Sequence, residues 1–167
     1  MKKLVLCSVV LALLLSILPL QTLAVTCQLD TAQAYADAMD AEGIKYSWLG
    51  VNEDNNEKFS VLFIGDEMEE IDLRWFFTEE SARLYVWDII TYHPADLYHV
   101  LEAVNELNSH YGYACFYADT SDNTVSYSYN FRLDPACAGQ HCIDVMYLAE
   151  GIVDESYPTL VPYNTAG

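Results

Sequence analysis

The chain has 167 residues and carries 25 acidic against seven basic side chains, a formal charge of −18. So acidic a surface repels a polyanion and offers few Lys or Arg side chains to neutralise phosphates, which excludes nucleic acid as a partner and disfavours an anionic lipid surface. Hydrophobic residues make up 53% of the chain, with 13 tyrosines and three tryptophans, too many for disorder and enough for a sizeable core.

Met1-Lys2-Lys3 is followed by an uncharged, mostly apolar run from Leu4 to Leu18 and then by a small residue at Ala24. This pattern predicts a secretory signal peptide over 1–24: two lysines form its charged start, and the apolar run is shorter than the roughly 20 residues a membrane span requires. The expected location is therefore secreted or extracytoplasmic, with no stable membrane insertion after cleavage. Residues 25–167 then form a single domain with a short C-terminal tail. Lys2 and Lys3 leave with the signal, so five basic residues face all 25 acidic ones. Cys7 leaves as well, and an even set of four cysteines in an oxidising compartment reads as disulfides. Cys137 with Cys142 would close a short loop and Cys27 with Cys115 a long one, worth about 2 and about 4.6 kcal/mol in the chain-entropy model. All three connectivities remain open.

The elements follow in order. Leu29 to Glu42 has an apolar stripe of Ala32, Tyr35, Ala36 and Met39 and a terminating Gly43, which predicts a helix. The period then changes to two through Ile44, Tyr46 and Trp48. It continues through Phe59, Val61 and Phe63, through Ile71, Leu73, Trp75 and Phe77, and through Leu84, Val86 and Ile90, which predicts a four-stranded antiparallel meander. Pro94 opens a second helix marked by Leu97, Val100, Leu101, Val104, Leu107 and Tyr111. A hairpin follows. Pairing Thr120 with Asn123 places Ala114, Phe116 and Ala118 opposite Tyr129, Tyr127 and Val125, so both apolar sets share a face and Cys115 falls on the other. Ile143, Met146 and Tyr147 predict a last helix over Gln140 to about Glu150, and Tyr157 to Gly167 reads as a tail. The fold class is α+β, an antiparallel sheet with helices in the order α-β-β-β-β-α-β-β-α.

That order, with Asn105-Glu106-Leu107-Asn108 near the end of the central helix and the aromatic strand Tyr113-Ala114-Cys115-Phe116-Tyr117-Ala118-Asp119 after it, resembles the YbjN-domain family over roughly Leu29 to Tyr157. The resemblance implies a frame like that of type III secretion chaperones, small acidic dimers that bind protein segments. It implies a homodimer and no catalytic residues. The chain departs from the family in its cysteines and its long acidic turns. Those chaperones are cytoplasmic, so their task does not carry over to an exported chain.

Asn105 and Asn108 are candidate binding residues, though an amide at a helix end more commonly bonds nearby backbone. His93, His99, His110 and His141 lack zinc spacing, so no metal is expected. The turns Asn52 to Glu57 and Asp119 to Asn123 supply oxygen ligands for weak calcium binding but do not fit the calcium-loop pattern, and Asp and Asn favour turns in any case. No G-x-S-x-G elbow or isolated carboxylate pair marks an enzyme, and no cofactor is implied. Trp48, Trp75, Trp87, Tyr85 and Tyr98 exceed what one small core readily hides. The expected function is a secreted, non-enzymatic binding module that engages a protein or peptide through an aromatic, acidic surface. The alternatives are an extracytoplasmic enzyme with a site assembled from remote residues and a weak calcium-binding protein.

Overall fold

The computed structural model describes residues 25–112, 115–134 and 136–165. The expected signal peptide lies outside the described residues, as do Tyr113, Ala114, Pro135, Ala166 and Gly167. Helix α1 spans Asp30–Glu42, followed by strands β1 (Ser47–Val51), β2 (Glu57–Phe63), β3 (Ile71–Phe77) and β4 (Ser81–Thr91). A 3-10 turn at Pro94–Asp96 leads into α2 (Leu97–His110), then β5 (Cys115–Asp119), β6 (Thr124–Arg132), α3 (Ala138–Leu160) and a second 3-10 turn at Val161–Tyr163. The α+β order is the one predicted. The six strands form one antiparallel sheet in the order β1-β2-β3-β4-β6-β5, so β6 returns to fill the space between β4 and β5.

Alternation decides which face of the sheet is buried. Phe59 and Val61, then Ile71, Leu73, Trp75 and Phe77, then Ala82, Leu84 and Val86, and finally Val125 and Tyr127 are all at most 2% exposed. The helices cover this face. Tyr35 of α1 inserts among Phe59, Trp75 and Phe77 at ring-centroid distances of 5.2 to 5.4 Å. The α3 helix crosses α1 so closely that a Cβ at Gly139 would sit 2.5 Å from the Ala34 carbonyl oxygen. The predicted hairpin register holds where it is described: Phe116 faces Tyr127 and Ala118 faces Val125. The first strand begins later than its alternation suggests, at Ser47, after Gly43 has ended α1 in the left-handed region. Gly50, at φ 80°, takes up a bulge between Trp48 and the next paired residue.

Three expectations are corrected. The C-terminal tail is largely helical: α3 runs through Tyr157 and Pro158 to a fully buried Leu160. Pro158 lies in the last turn and denies a hydrogen bond only to the Asp154 carbonyl, which is why the helix survives it. Beyond α3, Thr91 N–H donates to Asn164 Oδ1 at 3.2 Å and Thr165 N–H donates to the Thr91 carbonyl at 2.7 Å, fastening the chain end to β4. The second and third corrections concern the disulfides. All four described cysteines are free. Cys137 caps α3 and is exposed, whereas Cys142, five residues on and roughly 140° further round the helix, is buried in the core. Cys27 lies against Glu57 of β2, while Cys115 is on β5, four strands and roughly 19 Å across the sheet. A disulfide needs Cα atoms within about 7 Å. Among the described residues no helix is long and apolar enough to cross a membrane.

Candidate functional site

With three helices on one face, the other face of the sheet is open. The side chains that alternate with the core positions project from it, and cross-strand register arranges them in rows. Lys58 is opposite Phe76, which is opposite Arg83, which is opposite Asn130. In the next row Ser60, Arg74, Tyr85, Ser128 and Cys115 follow one another across five strands. Arg132 stands beside Ser81 at the end of the same face. Thus four of the five Lys and Arg residues beyond the expected signal peptide are gathered on one surface.

A bulge in β4 places the main aromatic group. Between Val86 and Ile90 the ladder slips, and Asp88 adopts φ 55° with its N–H held by Ser126 Oγ at 3.2 Å. Trp87, displaced by this kink, stays 44% exposed and stacks on Tyr85 at 5.3 Å and 20°. Phe76 meets both rings edge-on, at 5.6 Å and 5.8 Å. Tyr117 on β5 continues the platform. Burial raises the pKa of its phenol, partly offset by hydrogen bonding to Ser126 and Trp87. Leu49, Asn52, Lys58, Arg74, Phe76 and Trp87 line a shallow groove of about 220 Å³, with apolar walls and two cations.

Arg74 pairs with Asp72, which also accepts a 2.6 Å hydrogen bond from Ser60 Oγ. Lys58, Arg83 and Arg132 make no ion pair among the described residues, although acidic residues outnumber basic ones by 25 to seven. The aromatic surface therefore carries both signs: Lys58, Arg74 and Arg83 stand on the Phe76 side, while Asp88, Asp119 and Asp122 line a pocket with Trp87 and Tyr117. Besides Asp72 within β3 and Asp88 at the β4 bulge, its carboxylates stand near strand ends, with Glu79 and Glu80 in the β3–β4 turn, Asp119 at the end of β5 and Asp122 in the β5–β6 turn.

The other predicted residues take structural positions. Asn108 accepts from Phe116 N–H at 2.7 Å and donates to Phe116 C=O at 2.9 Å, which ties the end of α2 to β5. Asn105 is exposed, and its backbone carbonyl accepts from Ser109 Oγ. The two asparagines form no shared site. Of the aromatics, Trp75 is core, Tyr98 is on α2 at 70% exposure with its ring edge-on to His99, and Trp48 lies on the edge strand. Only Tyr85 and Trp87 of that set share the open face. In the turns, Asn52 accepts from Asn56 N–H, Asp119 from Ser121, and Asp122 from Thr124. Their oxygens thus serve the local backbone and hydroxyls. Among the described residues no three His, Cys, Asp or Glu side chains converge as a metal site. The cation cluster was missed by sequence reasoning because each basic residue is isolated in the chain. Its signal was the two-residue period, since Lys58, Arg74, Arg83 and Arg132 all alternate with predicted core positions.

Compared with known proteins, the chain matches no family model, and no curated protein is significantly similar to it.

Proposed function

We propose that this protein is an extracytoplasmic, non-enzymatic binding module whose open sheet face engages a protein or peptide segment. The observation that carries the reading is an uncovered platform of Phe76, Tyr85 and Trp87 set among unpaired cations, on a domain whose opposite face is sealed by three helices. Aromatic and arginine side chains are the anchors that protein interfaces favour, because they supply large contact area with few rotors to order. The frame implied by the YbjN resemblance agrees with this reading.

Selection of a displayed random-peptide library on the purified domain tests it. Enriched peptides are expected to bind the wild type and to lose at least tenfold in affinity to Trp87→Ala, an exposed-site variant that keeps the melting temperature. Enrichment of peptides that bind Trp87→Ala equally well, or no enrichment, would end the reading.

A further inference from the structure

We infer that the segment bound by the open face is a short peptide with carboxylates spaced among aromatic or aliphatic residues. This deepens the binding-module reading and rests on it. The charge is the first reason. Among the described residues Lys58 and Arg83 make no ion pair, and Arg132 makes none although it lines a pocket with Asp54, Glu79 and Glu80, on a chain that has carboxylates in fivefold excess over its basic residues after residue 24. In such a composition a cation finds an intramolecular partner easily, as Arg74 does with Asp72. Two left open on either side of Phe76 complement an anion supplied from outside.

The spacing is the second reason. Lys58 and Arg83 flank Phe76 across β2, β3 and β4, so their backbones stand about 10 Å apart with an aromatic ring between them. The groove beside them joins Lys58 and Arg74 to Leu49, Phe76 and Trp87. A ligand matching this surface presents carboxylate and apolar groups in turn on one side, which in an extended peptide are residues two apart, about 7 Å from one to the next.

The surroundings are the third reason, and they set the length. Glu79 and Glu80 stand in the turn at one end of β3 and β4, and Asp88, Asp119 and Asp122 line a pocket with Trp87 and Tyr117 on the other side of the platform. A long, uniformly charged chain such as an anionic polysaccharide or polyphosphate would run off the cations onto these carboxylates. At physiological salt, charges more than about 8 Å away are screened, so a short segment that keeps to the Lys58, Phe76 and Arg83 side of Trp87 feels the cations more than the carboxylates beyond it.

The selected peptides provide the test. They are expected to be rich in Asp or Glu beside aromatic residues, and fluorescence anisotropy at 150 mM salt should show about tenfold weaker binding when those acids are changed to Asn or Gln. The double variant Lys58→Gln/Arg83→Gln should lose the same factor for the acidic peptide and none for its amide analogue. Lys45→Gln, in the loop before β1, should leave binding unchanged. Face-dependent peptides that lack acids, or whose amide analogues bind equally, would overturn the inference while leaving the binding module intact. Heparin or polyphosphate binding more tightly than any selected peptide would overturn it in favour of a polyanion site. A dimer in light scattering that Trp87→Ala dissolves would identify the occupant as a second copy and overturn it too. Loss of Trp87 dependence altogether would end both readings.

Discussion

Asp154 shows how one carboxylate organises a loop distant in sequence. It sits in the seventeenth position of α3 and accepts from the N–H groups of Asp66, Glu67 and Met68 at 2.9, 3.0 and 2.8 Å. Burial pushes its pKa up, but the three backbone donors outweigh burial and hold it below the usual aspartate range. Gly65 is required beside it, because a Cβ there would run into the Asp154 carboxylate and lie 2.7 Å from the Met68 carbonyl oxygen. Asp154→Ala should cost about 2 kcal/mol in denaturant unfolding by leaving those donors without the charged acceptor, and Gly65→Ala about 1–3 kcal/mol by overpacking. Glu150 behaves oppositely: burial first, then the charges of Asp154 and Asp66, raises its pKa. A raised carboxyl takes up its proton more readily when folded, so stability should grow as pH falls from neutrality through its raised pKa. The depressed Asp154 contributes stability that is lost as pH falls further, below about 4. A melting-temperature profile with its maximum on the acid side of neutrality is expected, and Asp154→Asn should flatten its steep acid limb while a curve rising steadily to pH 8 would contradict the assignment. The thiols separate similarly. Burial, then the nearby charge of Glu57, pushes Cys27 up to about 12, and burial, then Cys137, pushes Cys142 up to about 12, whereas Cys115 and Cys137 are exposed. A thiol reagent should modify Cys115 and Cys137 quickly in the reduced native protein, Cys27 more slowly and Cys142 only on denaturation; four equal rates would be inconsistent with this burial.

At the level of elements, the free edge of β5 is managed by α2. Phe116 is the strand residue whose N–H and C=O are both met by the Asn108 amide, so a side chain stands in for a neighbouring strand. Asn108→Ala should cost about 1–2 kcal/mol and should raise hydrogen exchange at the Phe116 amide more than at Val125 in the sheet interior. Unchanged protection at Phe116 would show that the clamp is dispensable. Nearly every element was legible in the sequence where burial on one face imposes a period, as in Ile71, Leu73, Trp75 and Phe77 or in Val100, Val104 and Leu107. The C-terminal half of α3 was not. Pro158 punctuates that stretch, and the contacts that keep it helical come from buried Leu160 and the Asp154 clamp, both of them long-range. The cysteine pairing failed for a related reason: parity and spacing say nothing of which strand a residue occupies, and β6 separates β5 from β4. The Asn108 amide was legible as a backbone partner but its acceptor strand was not. The open face was half legible, because the aromatics could be counted while the collection of cations beside them required the register.

For the whole molecule, four of the five basic residues after residue 24 lie on the open sheet face, while most carboxylates occupy turns and helices and a few, such as Asp72 and Asp88, lie in strands. Mutual repulsion among those carboxylates is long-range and screened by salt, so the melting temperature should rise between 10 and 150 mM salt; no change would mean that the surface charges are already balanced locally. The insertion of β6 between β4 and β5 bears on how the chain reaches its native state. The meander from β1 to β4 joins neighbours in sequence and can assemble early, but the 23-residue helix that seals its apolar side, α3, follows all six strands in the chain and is synthesised after them. Until it arrives, Trp75 and Phe77 have only α1 over them. A chain emerging amino-terminus first therefore passes through a stage with a formed sheet and a half-roofed core, and its exposure to aggregation and proteolysis is set by the time taken to deliver its final third.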